Sequence, residues 1–209
     1  MSTSTPTPPD TVKREVTETL HGDDITDPYR WLEEESDRVE EWIERQNEYA
    51  DVFLRNSDNR ERLRPRFEEL ARTVEYSTVV GEKNGYFQRI REVEEDHSVL
   101  YFFEELGGER RELVDPNTFS DDGSVSMDWW EASKDGSLIA YGIAEGGDEQ
   151  YDIKIMDVGS REIVDEVPDA GRTGPMSLAW DGDGFYYVRT GSIGDGGQLN
   201  KRIMYHEHH

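Results

Sequence analysis

The side chains that could carry nucleophilic chemistry are the serines and the five histidines of this 209-residue chain. Acyl transfer by serine needs a histidine that takes the proton, a carboxylate that orients this histidine, and donors for the oxyanion. A G-x-S-x-G elbow is the usual sign of such a serine, and no serine here has that spacing. The nearest string, residues 191–194 (GSIG), is interpreted as a hairpin connection. Neither His21 nor His97 has such partners in view, and no catalytic residue is predicted.

Candidate metal ligands lie in one histidine cluster and two aspartate-glycine clusters. The H-x-H-H pattern of His206, His208 and His209 could hold Zn²⁺ or Ni²⁺, but a position at the chain end is more typical of a frayed segment. Residues 121–123 (DDG) and 181–184 (DGDG) lack the D-x-D-x-D-G run and distal glutamate of a calcium loop, and they are interpreted as hairpin turns. No metal ligand, no cofactor and no cofactor-binding residue is predicted.

The composition excludes several classes of protein. The chain has no cysteine, which rules out disulfide scaffolds, Cys-ligated zinc, iron–sulfur clusters and a thiol nucleophile. Its 48 acidic and 23 basic side chains give a net charge of −25, which disfavours contact with nucleic acid or an anionic membrane. With so many carboxylates, any chosen pair says almost nothing about acid–base catalysis.

The distribution of the charges is typical of the surface of a halophilic protein. Acidic residues are spread evenly along the chain, and the basic set contains only five lysines against 18 arginines. At molar salt the Debye length falls to about 3 Å, so that such a surface stops repelling itself. We therefore expect folding to depend on salt.

The first residues of the chain have neither a targeting signal nor regular structure in their sequence. The longest apolar stretch, residues 99–103, is far shorter than the roughly 20 residues that cross a bilayer, and the start MSTSTPTPPD has no apolar core. No membrane span and no secretion signal are predicted. Residues 1–11 are rich in Ser, Thr and Pro and are predicted to form a disordered leader.

Residues 12–73 are predicted to form a helical segment. Asp27 and Pro28 signal a short helical turn, and Ser36 caps a longer helix. Apolar residues at helical spacing give this helix one face that must dock on something: Val39, Trp42, Ile43, Ala50, Phe53 and Leu54. A second helix is predicted over residues 57–72, with Pro65 in its first turns or at a kink.

Residues 74–209 change to the alternating pattern of β-strands. Strands are predicted at residues 86–91, 99–104, 112–114, 138–143, 151–156, 163–166, 176–180 and 185–189. Residues 132–141 recur loosely at 179–187, and this spacing of 47 residues suits the four-stranded blades of a β-propeller. A closed propeller needs roughly four to eight blades, whereas this segment supplies about three. The predicted fold is thus mainly β with N-terminal α: two amphipathic helices followed by an incomplete, truncated propeller.

Two ordered sequence blocks connect this pattern with a known family. Residues 21–33 (HGDDITDPYRWLE), continued by Trp42, Gln46 and Asn47, resemble the opening signature of the prolyl oligopeptidase family. Residues 113–117 (LVDPN), 120–123 (SDDG), 133–136 (SKDG) and 140–142 (AYG) are similar to its first propeller blades. The resemblance covers roughly residues 12–207, and His21 falls in the signature, where a turn or hydrogen-bonding role is expected.

The resemblance implies a fold, an activity and partners. Members are cytoplasmic serine endopeptidases whose α/β-hydrolase domain is joined to a seven-bladed propeller that admits only short peptides, which are cleaved after proline. The N-terminal helices belong to the hydrolase side. The family's serine, aspartate and histidine lie in the C-terminal hydrolase portion, which this chain stops before, so that it is expected to be inactive alone. Expected partners are short proline-containing peptides and the missing hydrolase portion.

Two other interpretations of the sequence remain open. One is a non-catalytic module of blades and helices that binds a peptide or a separate hydrolase subunit through its open edge and helical face. The other is a remnant whose product rarely folds, because its apolar helix face has lost the surface that should cover it. The sequence does not distinguish between them.

Overall fold

The computed structural model describes residues 7–55, 58–182, 184–190 and 200–208. The chain divides into two compact units, Met1–Ala71 and Arg72–His209. The predicted leader lies partly outside the described residues, since residues 1–6 are not among them.

The first unit opens with a β-hairpin and a 3-10 turn. Strands β1 (Val16–Leu20) and β2 (Asp23–Asp27) pair antiparallel. Their connection is a two-residue turn in which His21 and Gly22 have φ values of 54° and 94°. Two successive positive φ angles match the right-handed twist of the flanking strands. The helical turn predicted after Pro28 is a 3-10 turn, Arg30–Glu33.

Residues of the DPYRWLE motif fasten the chain that precedes the hairpin. Trp31 is buried, and its indole Nε1 donates to the carbonyl of Val12 at 2.9 Å. The guanidinium of Arg38 lies 4.0 Å from the centroid of the Trp31 ring. Arg30 donates to the carboxylates of both Asp27 and Glu18 at 3.1 Å. The motif therefore has a structural role in this unit, because its hydrogen bonds hold the preceding segment and β1 in place.

Two helices complete the first unit, as the sequence predicted. Helix α1 (Asp37–Arg55) begins directly after Ser36, and helix α2 (Asp58–Ala71) contains Pro65 near its middle. The acidic residues at the start of α1 interact favourably with the positive end of the helix dipole. No residue of α1 is buried: Val39 and Trp42 of its apolar face are half-buried, whereas Ile43, Phe53 and Leu54 are exposed.

The second unit begins with a sheet of five strands, sheet one. Its strands are β3 (Glu75–Tyr76), β4 (Val80–Glu82), β5 (Gly85–Arg91), β6 (Val99–Phe103) and β7 (Arg111–Val114). Both β3 and β4 pair with β5, and β6 and β7 follow in sequence order. All pairings are antiparallel, as connections through short hairpins require.

Two further antiparallel sheets follow in the same order. Sheet two consists of β8 (Val125–Ala132), β9 (Leu138–Glu145), β10 (Tyr151–Asp157) and β11 (Ile163–Gly171). Sheet three consists of β12 (Leu178–Trp180), β13 (Gly184–Arg189) and β14 (Arg202–Glu207). Within the described residues the strands of sheets two and three follow sequence order, and none of the three sheets closes on itself. This is the mainly β architecture of a partial propeller that the sequence predicted.

Alternating side chains of sheet two form two separate hydrophobic cores. Met127, Ile139 and Tyr141 pack with Phe87 and Leu113 of sheet one. From sheet two, Trp129, Ala140, Ile153, Ile155 and Ala170 pack with Leu178, Phe185 and Tyr187 of sheet three. The sheets therefore stack face to face, and the period of two along each strand supplies both cores.

Sequence patterns missed several strands of the structure. Strand β8 was not predicted because a bulge between Met127 and Trp129 breaks the alternation of its side chains. Strand β14 was not predicted either, and His206, interpreted from the sequence as part of a frayed end, is paired with Phe185 in this strand. Met176, predicted to begin a strand, lies in a 3-10 turn (Pro175–Ser177).

Candidate functional site

The two histidines considered for catalysis, one in each unit, have structural roles. His21 occupies the β1–β2 hairpin turn. His97 lies in the β5–β6 connection, where its Nε2 is 2.9 Å from the carbonyl oxygen of Gly123. Residues 191–194, which contain the nearest approach to a serine elbow, lie outside the described residues. Among the described residues, neither histidine is hydrogen-bonded to a serine or a carboxylate side chain.

The histidine cluster at positions 206–209 is separated by the strand geometry. His206 Nε2 lies 2.9 Å from Asp165 Oδ2, whereas the His208 ring lies 6.4 Å from that of Trp180. His209 lies outside the described residues. In the part of the chain that is described, no group of three His, Asp or Glu side chains is placed to hold a metal ion.

The two aspartate-glycine clusters differ in the structure. Asp181 and Gly182 lie in the hairpin between β12 and β13, whereas residues 121–123 lie in the connection from β7 of sheet one to β8 of sheet two, so the hairpin turn predicted for them is wrong.

The SKDG block forms the hairpin between β8 and β9, and its carboxylate is bonded within the turn. Asp135 accepts hydrogen bonds from Ser137 N at 3.0 Å, from Ser133 Oγ at 2.7 Å and from Ser137 Oγ at 2.8 Å. These bonds lower the pKa of Asp135 to about 2. Asp122 is held in the same way by Ser124, which lowers its pKa as well. The two copies of the internal repeat occupy equivalent positions in successive sheets. Residues 133–138 join the first two strands of sheet two, and residues 181–184 join the first two strands of sheet three.

The LVDPN motif builds the crossing from sheet one to sheet two. Asp115 Oδ1 accepts from the backbone and side-chain nitrogens of Asn117 at 3.0 and 2.9 Å. Asn117 then clamps the backbone of His97, accepting from its N–H at 2.8 Å and donating to its carbonyl at 3.0 Å. Both members of the motif are therefore structural.

The most distinctive polar cluster centres on Asp128, at the bulge in β8. Its carbonyl accepts from Arg89 Nη1 of sheet one at 3.2 Å, and its carboxylate accepts from Tyr151 OH at 3.0 Å and from Ser126 Oγ at 2.6 Å. A bulge re-aims a side chain and interrupts the ladder, and bulges are frequent beside functional sites. In the described residues β8 pairs only with β9, so this cluster lies on the free edge of sheet two.

Burial determines the electrostatics of the Asp128 cluster. Desolvation raises the pKa of Tyr151 to about 12, and the hydrogen bond to Asp128 acts in the same direction. Burial also lowers the pKa of Arg89, although Asp128 opposes this shift. The guanidinium stays charged, because arginine titrates far above neutrality. The cluster therefore offers a fixed cation, a protonated phenol and the Asp128 carboxylate, which can together position a polar ligand.

Sequence patterns did not indicate this cluster. An aspartate carries no information in a chain with 48 acidic residues, and the only local signal at Asp128 is the break in alternation of β8. Trp129, the next residue, packs against Gly142 of β9 and belongs to the core shared with sheet three.

Comparison with known proteins decides the family. The model of the prolyl oligopeptidase N-terminal beta-propeller domain matches residues 8–207. This chain belongs to the prolyl oligopeptidase family. The propeller blades and the two signature blocks predicted from the sequence are thereby confirmed at the level of the family.

Curated relatives in the prolyl oligopeptidase family are prolyl endopeptidases and oligopeptidases. The chain is 30% identical over 210 residues to the prolyl endopeptidase of Elizabethkingia meningoseptica, a match covering 95% of this chain and 29% of the relative. It is 26% identical to prolyl oligopeptidase A of Galerina marginata, covering 90% and 30% of the two chains. The chain therefore spans under a third of the length of these relatives.

Solved structures agree with the prolyl oligopeptidase fold. One prolyl endopeptidase structure superposes with a TM-score of 0.82 at 31% identity, covering 96% of this chain and 31% of that one. Prolyl oligopeptidase B of Galerina marginata, solved with a 25mer macrocyclization substrate, superposes with a TM-score of 0.72 at 22% identity. It covers 95% of this chain and 32% of that one, and at this identity it supports the fold alone. Within the described ranges, neither helix has the length and hydropathy of a membrane span.

Proposed function

We propose that this chain is the N-terminal part of a prolyl oligopeptidase-like serine endopeptidase that cleaves short peptides after proline. The observation that carries the proposal is the family match over residues 8–207 together with coverage of only 29% of the curated relative. In this function the blades restrict access by size, and the chemistry belongs to a hydrolase portion. The 209 residues contain no G-x-S-x-G sequence, so that the chain alone is inactive.

The exposed face of helix α1 supports a hydrolase portion as partner. Ile43, Phe53 and Leu54 are 46%, 52% and 53% exposed, although their spacing is that of a core-facing helix stripe. Contiguous apolar patches on a soluble protein usually mark an interaction surface. The resemblance assigns these helices to the hydrolase side, which is the partner that we propose.

The outer face of sheet three supports a further sheet as neighbour. Tyr186 and Tyr205 are directly paired across β13 and β14, with ring centroids 4.8 Å apart, and both are nearly half exposed. Ile203, on the same face, is 78% exposed. The equivalent face of sheet two is covered by sheet three, so we propose that another sheet of the longer enzyme packs here.

Hydrolysis of a fluorogenic Gly-Pro peptide tests this function. We expect no turnover by the purified chain, and turnover when a separately produced hydrolase portion of the same enzyme is added. The variant Phe53→Glu should abolish the gain, because it places a charge in the proposed contact. The control Leu106→Glu changes an even more exposed apolar residue, in the β6–β7 connection, and should leave the gain unchanged.

The outcomes of this assay separate the open interpretations. Turnover by the chain alone would contradict the assignment of the chemistry to a hydrolase portion. Binding of a proline-containing peptide without any gain from the hydrolase portion would favour a non-catalytic module. A chain that neither folds nor binds would favour a remnant.

We also propose a cytoplasmic location and an adaptation to concentrated salt. The location follows from the family resemblance. The net charge of −25 supports the adaptation, because repulsion among carboxylates falls when salt screens them. Circular dichroism should show more complete folding in about 3 M than in about 50 mM KCl, and equal folding would contradict the adaptation.

A further inference from the structure

One contact between sheets two and three joins an imidazole to a carboxylate. His206 of β14 places its Nε2 2.9 Å from Oδ2 of Asp165 of β11, and the two side chains are only 23% and 22% exposed. The His206 ring also lies 5.3 Å from that of Phe185, a fully buried residue of the shared core. The contact therefore lies at the margin of the core, where solvent screens charge less than at an open surface.

The register of β11 and β14 places both side chains of this pair at the interface between sheets two and three. Asp165 is paired with Ile155, whose side chain packs in the core shared with sheet three. Opposed residues of an antiparallel pair point to the same face. His206 is likewise paired with Phe185 of that core. The hydrogen bond thus connects the fourth strand of sheet two to the last described strand of sheet three.

Other polar contacts between the sheets use groups whose charge does not change near neutral pH. Arg189 of β13 donates to Asp169 of β11 at 2.7 Å, at the same interface. Across the interface between sheets one and two, Arg111 donates to the Gly159 carbonyl at 3.1 Å and Arg89 to the Asp128 carbonyl at 3.2 Å. Arginine stays protonated at any pH at which the protein is folded, whereas imidazole gains a proton between about pH 8 and 5.

We propose that the hydrogen bond between His206 and Asp165 holds β14 to sheet two and becomes stronger when the imidazole is protonated. A neutral imidazole gives Asp165 an ordinary N–H donor. A protonated imidazole gives a charge-assisted hydrogen bond, which is roughly twice as strong. Acidification from pH 8 to 6 should therefore tighten this edge of sheet three, with no change of fold.

The charged neighbours of His206 act in the same direction or lie elsewhere. On β11, Asp169 is already paired with Arg189, and Glu166 pairs with Lys154 on the opposite face of sheet two. Phe185 brings no charge from β13. On β14 itself, the adjacent Glu207 points to the opposite face of the strand, and the His208 ring, two residues on, lies beside Trp180. The carboxylate of Asp165 is the charge in contact with the ring.

Amide hydrogen exchange of β14 in the full chain tests this pH dependence. After correction for intrinsic exchange rates, we expect protection of the β14 amides to rise about two- to fivefold from pH 8 to pH 6, the range of a partly exposed charge pair. The variant His206→Gln keeps a donor without a titrating proton and should lose this dependence. Asp165→Asn removes the charge of the acceptor and should lose it as well.

A second histidine provides the matched control. His97→Gln changes a histidine whose Nε2 faces the Gly123 carbonyl instead of a carboxylate, so the pH dependence at β14 should persist. A pH-independent wild type, or an unchanged pH dependence in both His206→Gln and Asp165→Asn, would overturn the proposal. If His206→Gln fails to fold, Asp165→Asn and the wild type still decide between these results.

Discussion

The indole of Trp129 occupies the space in which a side chain at Gly142 would stand. A Cβ added to Gly142 would lie 2.8 Å from Cζ2 of the indole and closer still to its Nε1. Trp129 is 5% exposed and belongs to the core between sheets two and three. The glycine of the AYG block is therefore required by a packed aromatic ring and not by a turn.

Gly142→Ala should destabilise the second unit by about 1–3 kcal/mol, the usual cost of overfilling a packed core. Urea unfolding followed by tryptophan fluorescence measures this change. Gly174→Ala is the control, because a Cβ at Gly174 meets nothing within 4 Å. Equal stability of the wild type and Gly142→Ala would show that the indole relaxes freely.

Stability should decrease at alkaline pH because burial raises the pKa of Tyr141 to about 12. Between the ordinary value of about 10 and 12, the unfolded phenol loses its proton while the folded phenol keeps it. The folded state then binds more protons, and the free energy of unfolding falls with pH by up to about 1.4 kcal/mol per unit for this group. Tyr141→Phe should flatten the slope in urea unfolding between pH 10 and 12, and a slope equal to that of the wild type would contradict this assignment.

The Asp135 turn should contribute stability that is lost in acid. Its hydrogen bonds lower the pKa to about 2, so that between the ordinary value near 4 and 2 the unfolded state binds more protons. Stability then falls as pH falls through this window. Thermal unfolding of Asp135→Asn should depend less on pH there than that of the wild type. Asp121→Asn, in another connection, should retain the dependence of the wild type.

Removing the Trp31 hydrogen bond should loosen the start of the first unit. Trp31→Phe keeps an aromatic ring but leaves the Val12 carbonyl without its donor at 2.9 Å. Limited trypsin digestion should then cut faster at Lys13 and Arg14, by several-fold for the loss of about 1 kcal/mol. Trp180→Phe is the control, because Trp180 Nε1 has no hydrogen-bond partner among the described residues. Equal digestion of Trp31→Phe and the wild type would show that other contacts hold this segment.

The sequence predicted those elements whose pattern matches a regular period. Helix α1 and strands such as β5 and β10 show an uninterrupted apolar repeat, and the structure contains all three. Strand β8 was missed because its bulge shifts the alternation by one residue at Asp128. The β1–β2 hairpin was missed because its residues are nearly all exposed, and a strand without a buried face leaves no alternating signal.

The polar contacts could not be predicted, because they join residues far apart in the chain. Arg89 and Asp128 are 39 positions apart, and Asp165 and His206 are 41 apart. Their pairing depends on how successive sheets stack, which no local pattern encodes. The alternating pattern of the sequence predicted most strands of the sheets, whereas these polar contacts between sheets needed the fold.

Strand β11 contains two aspartates that should tolerate substitution less well than most acidic residues of this chain. Most of the 48 acidic side chains of this chain only solvate the surface. An exchange between aspartate and glutamate at those positions should leave the stability of the fold unchanged. Asp165 and Asp169 are different, because each meets one defined donor on the neighbouring sheet. A glutamate at either position is one methylene too long for that donor. Descendants of this sequence should therefore keep aspartate at these two positions, as at Asp115, Asp128 and Asp135, while acids without a defined donor interchange.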